Sequence, residues 1–521
     1  MISQIKPKVI IFVIGIFFVA HSAVFAQTPS ETPPPPSEPP TVKIPLVNEM
    51  TLPNGLKVVV IQKKNLPLVT ASLLIKGGAD VESPNEAGLA DMTGALLIKG
   101  TEGLTASQIA EQIEFLGASI NSGAGWNASS VTINTMRQSL GKALSIMANS
   151  AIRPSFPEDE VKLLKKQTLD GFDVSLKQPG SLLSYVSSQY TFAEHLTGGT
   201  PQTIKRLTRK DIVGFHQEYY RPENSVLIFT GDVNQDVAFR FAKLFFGGWQ
   251  SAGDFGSATI KAREAAMNAA RSAKIAAQSR DDNSTVRRLL VIDLPDSGQA
   301  AVGYAKQLSH GRAECEAGAD GCISGDIYYA ATVLNSVLGG GYSSRLNQEI
   351  RLKRGLSYGA GSGFGWRGSY ADFSASAQTK NESAAEVAEL MKMEIERLVN
   401  DDVSKEELVP RKAAVTGGFG LGLQTNGGLA GRLRDLYLYG ISSDELNSYM
   451  NAVNSISGEE IKQFAKENLT GGDIIIVGDA KVFMSDLQKR FPNQTIEVIK
   501  ADALDLNTES LRSNPKIKLL Q

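Results

Sequence analysis

The residue types that hold a catalytic zinc ion are scarce in this chain of 521 residues. Two histidines four residues apart on a helix can share a zinc ion, and a glutamate between them can take a proton from the bound water. The chain has four histidines, and no two of them have that spacing: His21, His195, His216 and His310. The histidine content therefore predicts no metal site, and each histidine is expected to be an ordinary surface or core residue.

One helical segment nevertheless has the outline of a zinc site. Residues Gly88 to Gly103, GLADMTGALLIKGTEG, resemble the zinc helix of the insulinase and pitrilysin family of metallopeptidases, to which the mitochondrial processing peptidases also belong. That helix reads roughly G-L-A-H-x-x-E-H-x-x-x-K-G-T, and Asp91, Gly94 and Ala95 occupy its H, E and H positions. The family's third ligand, a glutamate on a later helix, aligns with Gly171. The resemblance therefore implies a member with a degenerate zinc motif and no cofactor in this chain.

A second segment matches the same family in its C-terminal domain. Residues Leu338 to Tyr358 read LGGGYSSRLNQEIRLKRGLSY. In members that cut peptides, an arginine and a tyrosine seven residues apart hold the substrate near the zinc, and Arg351 and Tyr358 match both. A guanidinium offers a rigid fork of donors, and a phenol can donate to an oxyanion. No phosphate-binding Lys-Ser/Thr follows the three glycines of this segment, so they are expected either to let the backbone turn tightly or to let it approach a peptide substrate closely: Gly339, Gly340 and Gly341.

A faint internal repeat predicts the fold. Residues Phe156–Phe172 match Val403–Phe419 without a gap, and Leu207–Phe215 match Ile456–Phe464. The segment Leu207–Phe215 precedes the apolar strand SVLIFTGDV, and Ile456–Phe464 precedes the apolar strand DIIIVGDA. Both strands lead into a Gly-Asp pair. We therefore expect an α+β protein with two homologous domains, each a mixed β-sheet packed with helices. The resemblance implies that the domains face each other as a clamshell.

Local patterns place the elements inside each half. Apolar runs predict strands at 57–61 and 69–75 in the first half, and at 289–292 and 300–304 in the second. Thr105 and Gln108 are spaced as a capping box for a helix that Gly117 ends.

These patterns divide the chain into six predicted parts. They are a signal peptide (1–26), a proline-rich linker (27–45), an N-terminal insulinase-like domain (46–250), an interdomain linker (251–286), a C-terminal insulinase-like domain (287–500) and a C-terminal tail (501–521).

The N-terminus has the features of an export signal. Lys6 and Lys8 precede an apolar run from Val9 to Ala20, and the sequence Val-Phe-Ala that ends at Ala26 follows. This order predicts a secretory signal cleaved after Ala26. An uncleaved anchor is the alternative, although the run is short for a membrane span. We expect export, with the bacterial periplasm as the compartment.

The overall charge excludes one class of partner. The formal net charge is −2, with 42% hydrophobic and 21% charged residues. Such a chain has no basic surface of the kind that nucleic-acid-binding proteins carry. We expect no nucleic-acid partner.

Two cysteines bracket a short loop, CEAGADGC. Cys315 and Cys322 are the only cysteines, and in an exported protein their spacing favours a local disulfide. Two reduced thiols are the alternative.

Three hypotheses for function follow from the resemblance. The leading hypothesis is a non-catalytic, substrate-clamping subunit of a secreted heterodimeric zinc peptidase, whose homologous partner brings H-x-x-E-H and the zinc ion. The alternative is a metal-free peptide-binding or structural scaffold, like the family's core subunits in respiratory complexes. An active peptidase with a different metal site is the third.

Overall fold

The structure is a computed structural model and describes residues 44–250, 284–313 and 325–513. The strands in this part of the chain form two six-stranded sheets. In chain order the strands are β1 (Val47–Thr51), β2 (Lys57–Gln62), β3 (Leu68–Lys76), β4 (Ser119–Ala124), β5 (Ala128–Met136), β6 (Ser225–Gly231), β7 (Val286–Asp293), β8 (Ala300–Leu308), β9 (Ala360–Trp366), β10 (Ala371–Thr379), β11 (Gly472–Gly478) and β12 (Ile496–Lys500).

Helices connect the strands and cover the sheets. In chain order they are α1 (Leu89–Leu96), α2 (Ala106–Phe115), α3 (Leu140–Ile152), α4 (Glu158–Ser175), α5 (Pro179–Tyr190), α6 (Pro201–Arg206), α7 (Arg209–Tyr219), α8 (Gln235–Phe246), α9 (Asp326–Leu338), α10 (Ala384–Asn400), α11 (Lys405–Gln424), α12 (Asn426–Leu438), α13 (Glu445–Ser455), α14 (Gly458–Asn468) and α15 (Ala480–Arg490).

Both sheets are mixed and share one plan. The first has the order β1-β2-β6-β3-β5-β4, and the second has the order β12-β7-β11-β8-β10-β9. The pairs β2–β6 and β7–β11 are parallel, whereas β6–β3 and β11–β8 are antiparallel. Strands β6 and β11 are buried along their whole length, which agrees with their continuous apolar sequences. The predicted α+β fold with two homologous domains is confirmed.

The internal repeat corresponds to equivalent elements of the two domains. Its first pair of segments forms the long helices α4 and α11, and its second pair forms α7 and α14, which precede β6 and β11. Thr208 and Ser457 cap α7 and α14, because each hydroxyl accepts a hydrogen bond from a backbone N–H in the first turn. The predicted strands lie within β2, β3, β7 and β8, and the capping box of α2 is present.

Each domain lays one helix across the sheet of the other. Leu429 and Leu433 of α12, from the second domain, are buried against Val59 and Ile228 of the first sheet. In return, α5 of the first domain buries its apolar side chains against β7, β8 and β11 of the second sheet. The two domains therefore face each other and are interlocked, since each completes its core with a helix from its neighbour.

Several predicted features lie outside the described residues. They are the signal peptide, most of the proline-rich linker, residues 251–283 of the interdomain linker, and the pair Cys315 and Cys322. Within the described ranges, no helix is both long enough and apolar enough to span a bilayer. The segment predicted as a tail belongs to the fold as far as residue 513, because Leu506 and Leu511 are buried against α5.

Candidate functional site

The helix at the degenerate zinc positions, α1, is a core helix. Leu89, Met92 and Leu96 are each at most 5% exposed and belong to the core of the first domain. Their spacing of three and four residues puts them on one face of the helix. Asp91 is half-buried, and burial raises the pKa of its carboxyl group. The packing of this apolar face is sufficient to explain why the helix forms.

A buried glutamate from outside the helix caps α1. The carboxylate of Glu82, which is 1% exposed, accepts hydrogen bonds from the backbone N–H groups of Gly88 and Ala90. These are among the N–H groups that a helix start leaves without partners. Nε2 of His195 lies 3.1 Å from Glu82 Oε2 and holds the carboxylate in place. Burial raises the pKa of Glu82, although His195 and the N–H donors oppose that effect. His195 therefore has a structural partner.

Gly94, at the position of the catalytic glutamate, lies against the backbone of β4. A Cβ atom placed on Gly94 would be 2.6 Å from the carbonyl carbon of Gly123 and 2.8 Å from the nitrogen of Ala124. Side chains do not tolerate contacts this short, because close-packed interiors relax only slightly. A glutamate cannot occupy this position unless β4 moves. The first domain is thus packed around the absence of that side chain.

The third ligand position is equally unsuitable for a metal. Gly171 lies on an exposed part of α4, and a Cβ atom there would meet no atom within 4 Å. The neighbouring carboxylate, Asp170, accepts a hydrogen bond of 2.8 Å from Lys166 on the same helix. Across the described residues, no three His, Cys, Asp or Glu side chains are grouped as ligands for a metal ion. Asp91, Gly94, Ala95 and Gly171 do not fit zinc, which requires three or four converging ligands.

The glycine-rich segment after α9 lies close to the edge strand of the second sheet. A Cβ atom on Gly339 would be 2.3 Å from the nitrogen of Ser362 in β9, whose N–H donates to the Gly339 carbonyl over 3.3 Å. Only glycine permits this approach. Gly340 and Gly341 are exposed, and the space beside Gly341 is open. Gly339 therefore has a structural role, while Gly340 and Gly341 are accessible to a ligand.

Arg351 lies in a π-helical turn, Asn347–Leu352. The guanidinium carbon is 5.0 Å from the centre of the Tyr342 ring, a cation–π contact. Within the described part of the chain, the side chain of Arg351 forms no hydrogen bond or ion pair. π-helical turns are rare in proteins, and many of those that occur lie at functional sites. The turn and the aromatic ring thus orient a cation whose donors remain unused.

Neighbouring arginines hold the segment in place. Arg345 forms a two-point ion pair with Glu407 of α11, with distances of 3.0 and 2.7 Å. Arg411 of the same helix donates to the hydroxyl of Ser343 over 2.8 Å. These contacts fix the backbone on which Arg351 is carried. The guanidinium groups of Arg345 and Arg411 form these hydrogen bonds, whereas that of Arg351 is available.

Tyr358 extends into solvent from the loop that follows the π-helical turn. Its side chain is 93% exposed. The loop itself is ordered by hydrogen bonds: the Ser357 hydroxyl donates to the Gly359 carbonyl over 2.7 Å, and Asn347 Oδ1 accepts from the N–H of Ala360 over 3.4 Å. Asn347 also donates to the carbonyl of Tyr342. One buried amide therefore joins the Arg351 turn to the backbone on both sides of it.

Two residues of these sites were not predicted from the sequence. Glu82 caps α1 from six residues before its N-cap, Gly88, which no capping pattern covers. Tyr342 precedes Arg351 by nine residues, and only the π-helical turn brings the two together. The one sequence sign of this contact was the position of Tyr342 directly after the three glycines.

Family models match most of the described chain. A model described as insulinase, peptidase family M16, matches residues 57–197, and a model described as the peptidase M16 inactive domain matches residues 206–414. A protein named an uncharacterized zinc protease of Mycobacterium leprae is 25% identical over 390 residues, 74% of this chain and 80% of that protein. An uncharacterized zinc protease of Bacillus subtilis is 21% identical over 82% of this chain and 96% of its own length.

Solved structures show the same fold. The peptidase M16 inactive domain from Pseudomonas fluorescens superposes with a TM-score of 0.69 at 22% identity, covering 83% of this chain and 98% of its own. A protease from Helicobacter pylori superposes with a TM-score of 0.71 at 19% identity, covering 84% of this chain and all of its own. The two-domain architecture is therefore shared.

Proposed function

This chain belongs to the insulinase family of peptidases, family M16, and from that premise we propose that it is the non-catalytic, substrate-clamping subunit of a secreted heterodimeric zinc peptidase. A homologous partner brings the H-x-x-E-H helix, and the substrate is a peptide. One contrast carries the proposal. The positions for zinc ligands offer a single carboxylate, Asp91, which is not enough to hold the ion, while Arg351 and Tyr358 remain available.

The two available side chains have complementary chemistry. The planar guanidinium of Arg351 can donate two parallel hydrogen bonds to backbone carbonyls of an extended peptide. The phenol of Tyr358 can donate to the oxygen that becomes negatively charged when water attacks a peptide carbonyl. The zinc ion of the partner would supply the activated water. This chain would orient the peptide and stabilise the developing charge.

The packing of α1 supports a division of labour between subunits. Because a Cβ atom on Gly94 would lie 2.6 Å from the backbone of β4, this chain cannot regain the catalytic glutamate by a single substitution. The Arg351 segment, in contrast, is held by Glu407 and Arg411 of α11. The second domain therefore retains an ordered surface for a function that the first domain lacks.

The test mixes the chain with the family member that carries H-x-x-E-H and whose gene lies nearest to its own. Arg351→Ala should lower kcat/KM of the mixture for a reporter peptide about a hundredfold, the typical effect of removing a transition-state donor. Tyr358→Phe, which removes only the hydroxyl, should have a similar effect.

Arg354→Ala is the matched control, because Arg354 carries the same charge three residues away but is engaged with Glu349. This variant should retain nearly full turnover. A folded Arg351→Ala chain that supports turnover as well as the unsubstituted chain does would sink the clamping role and favour the scaffold alternative.

We also propose that the protein is exported, with the bacterial periplasm as its compartment. The support is the order of Lys6, Lys8, the apolar run and Ala26. The mass of the chain isolated from cells should correspond to a start at Gln27, and a start at Met1 would contradict cleavage.

A further inference from the structure

A cavity between the two domains is lined by neutral hydroxyl and amide groups. It has a volume of about 380 Å³ and lies where α12 crosses the β4 side of the first sheet. Cavities that bind small ligands have volumes of about 300–1,000 Å³. Ser72 and Thr132 form its floor, with their hydroxyl oxygens 2.8 Å apart, and Asn121 lies at its exposed mouth. We call this space the shelf cavity.

One charged residue, Arg434 of α12, lines the shelf cavity. Nη1 donates to the Ser130 hydroxyl over 3.3 Å. No other hydrogen bond or ion pair of the Arg434 side chain occurs within the part of the chain that is described. Desolvation by burial lowers the pKa of Arg434, and no carboxylate offsets it. A partly buried cation without an anionic partner is costly, so an anion that neutralises it would bind favourably.

Three other arginines among the described residues that are buried or half-buried have carboxylate partners. Arg312 and Arg432 both pair with Glu445, and Arg367 pairs with Glu194 and Asp372. Arg434 thus departs from the pattern of its own surroundings. Its neighbour Asp435 faces Arg312 and Arg432 and not the cavity.

The adjoining space extends the same environment. A second cavity of about 530 Å³ shares Gly427 with the shelf cavity, and its lining includes Lys63. No acidic residue among those described lines either cavity. Hydroxyl and amide groups can donate hydrogen bonds to a carboxylate, and a guanidinium supplies the opposite charge.

We propose that the shelf cavity is a binding site for a peptide carboxylate, with Arg434 as the charged partner and Ser130 and Asn121 as further donors. That the anion is carried by a peptide rests on the proposed function. The carboxylate has two possible sources, the C-terminus of the peptide or an acidic side chain. The site would give the subunit a preference for anionic peptides.

The experiment measures the binding of three labelled probes to the purified mature chain by fluorescence anisotropy. The probes are an alanine-rich peptide whose one charged group is a free C-terminal carboxylate, the same peptide made neutral by a C-terminal amide, and the amidated peptide with one central glutamate. Arg434→Gln should weaken the binding of at least one carboxylate-bearing probe tenfold or more. Which of the two probes loses affinity identifies the source of the carboxylate.

Two further variants separate the site from general effects. Gly123→Val should also abolish carboxylate-dependent binding, because its side chain would enter the cavity, where a Cβ atom meets nothing within 4 Å. Arg240→Gln removes the same charge from an exposed position on α8 and should leave binding unchanged. Thermal melting checks that each variant is folded.

Three outcomes would overturn the site. They are failure of the unsubstituted chain to bind either acidic probe, equal binding of the amidated neutral probe, and equal binding by Arg434→Gln and the unsubstituted chain. Because this assay needs neither the partner nor hydrolysis, its failure leaves the turnover test of Arg351 independent. Failure of that test likewise leaves the binding result standing.

Discussion

At the scale of single residues, the arginines of this protein differ in whether a carboxylate faces them. Arg345 forms an ion pair with Glu407, and Arg367 forms one with the buried Glu194. Arg351 and Arg434 have no carboxylate partner among the described residues. A guanidinium group without a carboxylate partner gains no ion-pair energy from the fold, so its placement in an ordered position favours a role toward a ligand. Both proposals rest on this difference.

Two glycine-to-alanine substitutions test the packing of the degenerate zinc helix. Gly94→Ala should lower the free energy of unfolding by about 1–3 kcal/mol, the usual cost of overpacking, because its Cβ atom would lie 2.6 Å from Gly123. Gly171→Ala, also within a helix, meets open space and should raise stability by up to about 1 kcal/mol, the difference in helix propensity.

Urea unfolding of both variants measures these changes. Equal stability of Gly94→Ala and the unsubstituted chain would show that β4 can move away from α1. In that case the absence of the glutamate would not be fixed by packing.

At the scale of elements, His216 joins two helices of the first domain and makes their contact sensitive to pH. The distance from Nε2 of His216, in α7, to the carbonyl oxygen of Ala151, in α3, is 2.8 Å. The His216 ring also stacks on Tyr220. Burial lowers the pKa of His216 from 6.5 to about 4. Between these values the unfolded chain binds the proton and the folded chain does not, so stability falls as the pH falls through this window.

The loss from this histidine should reach about 3 kcal/mol at pH 4, at about 1.4 kcal/mol per pKa unit. His216→Gln keeps a donor for Ala151 but cannot take up a proton, so its stability should fall less between pH 7 and pH 4. Urea unfolding at several pH values measures the difference, with His310→Gln at an exposed position as the control. Parallel pH profiles for His216→Gln and the unsubstituted chain would contradict the assignment.

Sequence patterns predicted elements better than they predicted which elements meet. The repeat identified α4 with α11 and β6 with β11, because capping residues and apolar runs are local signals. The apolar face of α12 predicts burial but not the sheet that buries it, and this sheet belongs to the other domain. The stacking of Tyr342 on Arg351 likewise depends on a π-helical turn. Residue types at the site were therefore predictable, but their supporting contacts were not.

At the scale of the whole molecule, the interlocked domains form one support for the proposed clamp. Besides the crossing helices α5 and α12, Arg367 of the second domain pairs with Glu194 of the first over 3.1 Å. Asp473 of β11 accepts a hydrogen bond of 2.9 Å from Thr191. Such contacts oppose movement of one domain relative to the other. Under the proposed function, a chamber that encloses a peptide is therefore expected between this chain and a partner subunit.

The most direct test is peptidase activity of the purified mature chain with added zinc, alone and mixed with its closest-encoded relative bearing H-x-x-E-H. The division of catalytic and clamping residues between two subunits predicts no hydrolysis by the chain alone and clear hydrolysis by the mixture, above that of the relative alone. Hydrolysis by the chain alone, abolished by a zinc chelator, would contradict the central claim.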